Sequence, residues 1–238
     1  LLDTFDEQSH KHAFEVSEDL KYALREAIEL LGNEAIRYLQ EVRKEKVYDE
    51  LDEEELTNEC LRYMYRLLFL FYIEARPELG YAPMDSDEYL KGYSVEHLRD
   101  LELMELTTEE SKNGFYIHHS LQRLFSLVFN GYPAVETNGE ARTNGQVTAD
   151  FDEDEETQRH TFTIEPLRSH LFDPERTPLL SKVKFRNEVL QKVIRLMSLS
   201  DPDRRDSRER VSYAALGINQ LGAVYEALLS YSGFFAEQ

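Results

Sequence analysis

The chain has 238 residues, of which 41% are hydrophobic and 31% charged, and this composition is typical of a folded protein that can bury a sizeable core. The 47 acidic residues outnumber the 27 Lys and Arg residues, and the net charge of −20 disfavours a broad nucleic-acid-binding face, because phosphate contacts require cations. The single cysteine, Cys60, excludes a disulfide framework, and the longest apolar run, residues 67–73, is too short to cross a bilayer.

From these limits we expect a cytoplasmic protein with no membrane partner. The basic residues are 9 Lys and 18 Arg, so lysine is scarce relative to the acidic residues. Many carboxylates and few lysines are typical of proteins that work in concentrated salt, where screening removes self-repulsion. The composition therefore favours an adaptation to salt over a partner surface. The chain begins at Leu1 without a methionine, and we expect it to be part of a longer protein.

The N-terminal part is predicted as a lead-in followed by a long helix. Residues 1–16 have no clear period, whereas Ser17 is a good N-cap followed by two acidic residues. One apolar face then recurs at helical spacing and extends to Lys46, although Gly32-Asn33 interrupts or bends it. The pattern predicts one long amphipathic helix or a close pair of helices.

A second long helix is predicted near 52–76, between an acidic opening at Asp52 and Pro77. Apolar residues lie on every side of it, which predicts a helix buried nearly all round and central to the core. Cys60 lies inside this pattern and is predicted to be a small buried thiol.

Shorter helices follow. The segment 85–87 can cap a helix that ends near Gly92, Ser94 can cap another, and Asn113-Gly114 signals a tight turn. A further helix is predicted after this turn and ends at Asn130-Gly131. The pair His118-His119 near its start is predicted to be a packed helix-start pair rather than a metal ligand or a general base.

Residues 131–160 are predicted to form an acidic loop or insertion, because glycine, proline and a run of carboxylates dominate them. The alternating segment 161–164 predicts a short strand, with a partner expected near 116–118. Beyond it, Asn187 is predicted to be the N-cap of a helix that ends before Asp201-Pro202.

An arginine-rich segment precedes the C-terminal helix and is the candidate DNA-backbone contact. Asp206 and Glu209 lie between these arginines and instead favour a solvated loop, in which the acidic and basic side chains pair with each other. The arginines concerned are Arg204, Arg205, Arg208 and Arg210.

The predicted fold class is mainly α, an irregular multi-helix domain with at most a small β element. Its parts are a helical subdomain over 1–130, the acidic loop over 131–160, and a helical subdomain over 161–238. The last of these ends in an amphipathic helix over 216–229, in which Gly222 offers a spot without a side chain for close approach of another backbone.

Two segments carry a resemblance to a known family. The stretch 216–229 resembles the Leu-Gly-x-x-Tyr-Glu-x-Leu-Leu helix that precedes the catalytic domain in single-chain adenine-specific DNA methyltransferases of type IIG restriction-modification and related phage-defence systems. The stretch 65–81 resembles an upstream helix of the same proteins that is rich in leucine and phenylalanine. The glycine-rich S-adenosylmethionine loop and the Asn-Pro-Pro-aromatic motif of that family do not occur in the 238 residues.

The resemblance implies a non-catalytic helical connector, with no catalytic, cofactor-binding or metal-binding residue of its own. S-adenosylmethionine would bind to the parent protein, whose methyltransferase domain would be the partner in the same chain and would act on DNA. Whether the parent also cleaves DNA is left open. The residues expected at the interdomain contact are Leu221, Gly222, Tyr225 and Leu228.

Two alternatives belong to other classes of protein. A free-standing acidic protein that imitates DNA would account for the charge, but it would not require long apolar helices. A helical protein-interaction scaffold without a link to nucleic acid is the second alternative.

Overall fold

The computed structural model of the protein describes residues 2–44, 51–133, 162–199 and 210–229. These residues form an irregular assembly of helices, as the sequence predicts, and the only β structure within them is two isolated antiparallel bridges. The helices are α1 (Leu2–Arg37), α2 (Glu53–Glu74), α3 (Asp87–Gly92), α4 (Val95–Asp100), α5 (Glu109–Asn113), α6 (Tyr116–Asn130), α7 (Asn187–Ser198) and α8 (Ile218–Leu229).

Helix α1 is continuous from Leu2 to Arg37 and is followed by a π-helical turn, Tyr38–Val42. The predicted lead-in over 1–16 and the predicted N-cap at Ser17 are therefore wrong. Ser17 is buried inside the helix, and its hydroxyl donates to the carbonyl of Phe14 at 2.8 Å. A good capping residue does not start a helix when the chain before it is already helical.

Helix α2 begins and ends where the sequence predicts. The carboxylate of Asp52 accepts hydrogen bonds from the amides of Glu54 and Glu55, which satisfies free donors of the first turn. Pro77 lies just beyond the C-terminal end. Most residues from Leu56 onward are buried, on several sides of the helix, so α2 lies within the core.

Asn187 caps a helix, but not the predicted one. It is the first residue of α7, and the residue before it, Arg186, makes no side-chain cap. The Asn187 Oδ1 instead accepts from the amide of Ile117 at 3.1 Å, in the first turn of α6, and its Nδ2 donates to the carbonyl of Ser111 at 3.0 Å. The side chain thus joins α7 to two helices, α5 and α6, whose bonded residues lie 76 and 70 residues earlier in the chain.

The predicted partner of the segment 161–164 is also wrong, because residues 116–118 belong to α6. Ile164 instead forms a bridge with Tyr132, with reciprocal backbone hydrogen bonds of 2.8 and 2.9 Å. Gly131 directly precedes this bridge at φ +81°, and a Cβ there would lie 2.9 Å from the carbonyl oxygen of Ile164. Only glycine fits this position without strain. Most of the predicted acidic loop, residues 134–160, lies outside the described residues.

One hydrophobic core contains residues from both predicted helical subdomains. Helix α1 packs against α2, α7 and α8, so the C-terminal helix lies on the first helix of the chain. Within the described residues, no helix has both the length and the apolar character needed to span a membrane.

Candidate interdomain contact site

The C-terminal helix α8 is fixed to the core along one face. Val224 and Leu228 are fully buried, and Leu221 and Tyr225 are partly buried against the same core. This face lies mainly against α1. Burial of these apolar side chains orients the helix, so the residues on its other sides have fixed positions relative to the core.

Tyr65 of α2 and Tyr225 of α8 form a reciprocal pair. Their rings stack with centroids 4.4 Å apart and planes 28° apart. The Tyr65 hydroxyl donates to the Tyr225 carbonyl at 3.2 Å, and the Tyr225 hydroxyl donates to the Tyr65 carbonyl at 3.4 Å. Burial raises the pKa of both hydroxyls to about 12, so both keep their protons at neutral pH.

The segment that leads into α8 is held by Arg76, just beyond the end of α2. Its Nη2 donates to the carbonyls of Ala214 and Leu216, and its guanidinium carbon lies 5.0 Å from the ring centroid of Tyr72. The segments 65–81 and 216–229 therefore contact each other at both of these places.

Beside the face that packs on the core, α8 carries two exposed apolar side chains, Ile218 and Leu229, with the half-buried Gly222 on the same face; these three residues form an apolar stripe. Ile218 is 76% exposed and Leu229 is 72% exposed. A Cβ built on Gly222 would meet nothing within 4 Å. These positions are four and seven residues apart, so they lie on one face of the helix.

The four residues predicted for the interdomain contact are distributed over two sides of α8. Leu228 faces the core of the same chain, and Leu221 packs at its edge. Gly222 belongs to the apolar stripe, and Tyr225 lies between the stripe and α2. The interdomain contact itself stays a prediction, and Ile218 and Leu229 are the exposed apolar side chains that the sequence did not single out for it.

Of the four candidate DNA-contacting arginines, only Arg210 lies in the described part of the chain; Arg204, Arg205 and Arg208 lie outside it. Arg210 makes three ion pairs, and the hydrogen bond to Asp100 is the main reason that its pKa is raised. The partners are Asp100 at 2.9 Å, Glu96 at 3.3 Å and Glu102 at 3.4 Å.

Three buried charged residues of α2 were not singled out from the sequence, and each holds backbone of another segment. The Glu59 carboxylate accepts from the amides of Leu179 and Leu180, at 3.0 and 2.7 Å. Glu74 does the same at the start of α4, and Arg66 donates to carbonyls in the loop after the Tyr132–Ile164 bridge. The sequence contained a signal for these residues, because charged side chains inside a helix that is apolar on all sides are rarely buried without partners. Their presence in α2 indicated bonds to other segments of the chain.

His118 packs as the sequence predicts. It is buried, its Nδ1 lies 3.5 Å from the amide nitrogen of Phe185, which donates to it, and burial lowers its pKa to about 4. The ring is therefore neutral at physiological pH. Among the described residues, no group of three or more His, Cys, Asp and Glu side chains is arranged to hold a metal ion.

Neither a protein-family model, nor a curated protein, nor a solved structure matches the chain.

Proposed function

We propose that this chain is a non-catalytic helical connector of an adenine-specific DNA methyltransferase from a restriction-modification or phage-defence system. In the parent protein it positions the catalytic domain on DNA, while S-adenosylmethionine binds to that domain. The parent flips an adenine out of the duplex and methylates its amino group. We place this activity in the cytoplasm, where the DNA substrate is.

The observation that carries the proposal is the apolar stripe of α8, whose two large side chains are exposed next to the face that is fixed to the core. Exposed apolar residues on one face are typical of a protein contact surface. Ile218 and Leu229 are the large apolar residues of this stripe, and Gly222 between them leaves room for close approach of a partner backbone. The proposed occupant is the methyltransferase domain of the same parent protein.

Contact between the two segments of the family resemblance supports the same proposal. Stacking of Tyr65 on Tyr225 and the hydrogen bonds from Arg76 hold 216–229 against 65–81. A connector needs this kind of rigidity, because it must keep a constant distance and angle between units that act on one DNA molecule.

A methyl-transfer assay tests the proposal. The complete gene product that contains this chain and the chain of residues 1–238 alone are each incubated with duplex DNA and S-adenosylmethionine labelled in the methyl group. We expect label on adenine with the complete gene product and none with the 238-residue chain. The proposal is wrong if the short chain methylates DNA or binds the methyl donor, or if the complete gene product does neither.

A further inference from the structure

The pair Asn113-Gly114 lies at the end of α5, where this helix meets the residues that begin α7. An asparagine before a glycine is chemically labile in water, because glycine has no side chain to hinder attack by its backbone nitrogen. Asn113 is exposed, so water reaches it. The pair is therefore a candidate site of spontaneous modification.

The reaction is deamidation through a cyclic imide. The backbone nitrogen of Gly114 loses its proton and bonds to Cγ of Asn113, and the side-chain nitrogen leaves as ammonia. Water then adds to one of the two imide carbonyls and breaks its bond to nitrogen, which gives aspartate or isoaspartate. Water is the only co-reactant that the reaction needs.

Two hydrogen bonds within α5 keep the reacting atoms apart. The Gly114 amide donates to the Glu110 carbonyl at 2.9 Å, so its proton is engaged. The Nδ2 of Asn113 donates to the Glu109 carbonyl at 2.9 Å, which directs the side chain back along the helix and away from the Gly114 nitrogen. Attack therefore requires both bonds to break in a local opening.

The residues that begin α7 hold the same pair from the other side. Arg186 donates from Nη1 to the Oδ1 of Asn113 at 3.1 Å, while its Nε and Nη2 bind Glu34. The backbone amide of Asn187 donates to the Gly114 carbonyl at 2.8 Å. Both members of the pair are thus fixed by a segment more than 70 residues away in the chain.

Packing accounts for the glycine in this labile pair. A Cβ on Gly114 would lie 2.9 Å from Nδ2 of Asn187 and 3.1 Å from the Glu110 carbonyl oxygen. The Asn187 side chain cannot move away freely, because it bonds to Ile117 and Ser111. The close approach of α5 and α7 therefore requires the residue that makes Asn113 reactive.

The pair Asn130-Gly131 at the end of α6 offers a comparison within the same chain. The Gly131 amide donates to the Leu127 carbonyl at 2.8 Å, and the Nδ2 of Asn130 donates to the Ser126 carbonyl at 3.0 Å. These bonds join residues of α6 and its C-cap only. Restraint of Asn130 by these bonds does not involve Arg186.

We propose that Asn113 is a deamidation site that the contact between α5 and the start of α7 keeps unreactive. When this contact opens, Asn113 reacts, and isoaspartate adds one methylene to the backbone and displaces Gly114 from the Asn187 amide. Opening of the junction then becomes irreversible. This inference does not depend on the proposed function, because it concerns the junction of α5 and α7 and not the stripe of α8.

Peptide mapping by mass spectrometry tests the protection. The chain of residues 1–238 is incubated in one mildly alkaline buffer, folded or unfolded in guanidinium chloride, and the mapping separates Asn113 from the other Asn-Gly pairs of the sequence. We expect deamidation of Asn113 to be at least about tenfold slower in the folded chain, because the reaction requires local opening. Equal rates in the two samples would contradict the proposal.

The variant Arg186→Met tests whether α7 provides the protection. It also removes the pair with Glu34, so the rate at Asn130 in the same sample reports any general loosening. We expect deamidation to become at least about fivefold faster at Asn113 and to stay unchanged at Asn130.

Arg186→Lys serves if Arg186→Met does not fold. Lysine keeps a positive charge for Glu34 but lacks the planar fork that also reaches Asn113, so we expect the same selective acceleration. An unchanged rate at Asn113 in either folded variant, or an equal acceleration at Asn130, overturns the inference.

The isoaspartate form of the chain, isolated after incubation, tests the consequence for the junction. Its matched control is Asn113→Asp, which carries the same charge without the extra methylene. We expect the isoaspartate form to melt at least a few degrees, roughly the effect of 1 kcal/mol, below this control. Equal melting temperatures would contradict irreversible opening of the junction.

Discussion

Glu34 is a buried carboxylate held by two arginines. Arg186 reaches its two oxygens with Nε and Nη2, both at 2.8 Å, and Arg37 reaches them at 2.7 and 2.9 Å. Burial alone would raise the pKa of Glu34, but these hydrogen bonds and charges outweigh burial and lower it to about 2. The pair geometry joins α1 to the residue that precedes α7, so one side chain connects two helices.

The low pKa of Glu34 predicts how stability depends on pH. A carboxyl whose pKa falls on folding stabilises the protein above its unfolded pKa of 4.5, and this contribution is lost as pH falls toward 2. We expect Glu34→Gln to lower the free energy of unfolding by about 3 kcal/mol at pH 7, with a difference that shrinks below pH 4.5. Urea unfolding of both chains between pH 2 and pH 7 measures this difference in the free energy of unfolding.

Glu41→Gln is the matched control, because Glu41 pairs with the same Arg37 but its side chain is 63% exposed. An exposed pair contributes little, so we expect a change below about 1 kcal/mol. Equal effects of the two substitutions at pH 7 would contradict the assigned role of Glu34.

Glu74 has the opposite pH dependence. Its Oε1 accepts from the Tyr89 hydroxyl at 2.8 Å and the Val95 amide at 2.9 Å, and its Oε2 accepts from the Glu96 amide at 2.9 Å. Burial raises the pKa of Glu74 to about 7, although these hydrogen bonds favour the charged form. A carboxyl whose pKa rises on folding makes the protein less stable as pH increases from 4.5 to 7.

We therefore expect Glu74→Gln to remove a fall in stability of about 3 kcal/mol between pH 4.5 and 7, because an amide does not titrate. Melting curves at half-unit pH steps measure the slope. Glu78→Gln, at an exposed position after the same helix, should leave the slope unchanged. A Glu74→Gln profile as steep as that of the unmodified chain would show that another group titrates in this range.

At the scale of helices, Asn187 fixes how α5, α6 and α7 meet. Its side chain satisfies the Ile117 amide and the Ser111 carbonyl, so alanine there leaves both without their partner. We expect Asn187→Ala to destabilise the chain by about 1–2 kcal/mol in urea unfolding. Asn58→Ala at an exposed position of α2 should cost less than about 0.5 kcal/mol. A loss for Asn187→Ala as small as this would contradict the shared-cap role.

The long helix α2 and the helix before Gly131 were predictable because their signals are local. Asp52, Pro77 and Gly131 mark ends that depend on neighbouring residues alone. The start of α1 was missed because a capping residue, Ser17, lies inside a helix whose earlier residues lack a clear period. The sequence does not show which competing local signal prevails.

The partners of buried polar groups were not predictable from the sequence. Asn187 has the composition of a cap, but the helix that it caps is 70 residues earlier in the chain. Likewise, Arg66 of α2 bonds to the Leu171 carbonyl 105 residues away. Contacts over such separations follow from packing and leave no spacing in the sequence.

At the scale of the whole molecule, the net charge of −20 predicts a response to salt. Repulsion among surface carboxylates is screened over about 10 Å at 0.1 M salt and about 3 Å at 1 M. We expect the melting temperature to rise by at least several degrees between 0.1 and 2 M potassium chloride, roughly the range in which screening is completed. A neutral osmolyte at equal osmolality is the control. Greater stability at low salt would contradict an adaptation to salt.

The connector account rests on the stripe of Ile218, Gly222 and Leu229, and one comparison of methyl-transfer rates tests it most directly. Ile218→Asp places a charge in the stripe, whereas Asn219→Asp places the same charge at the neighbouring exposed position. In the complete gene product, we predict that Ile218→Asp slows adenine methylation by about tenfold or more and that Asn219→Asp does not. Equal rates for Ile218→Asp and the unmodified protein would contradict the account.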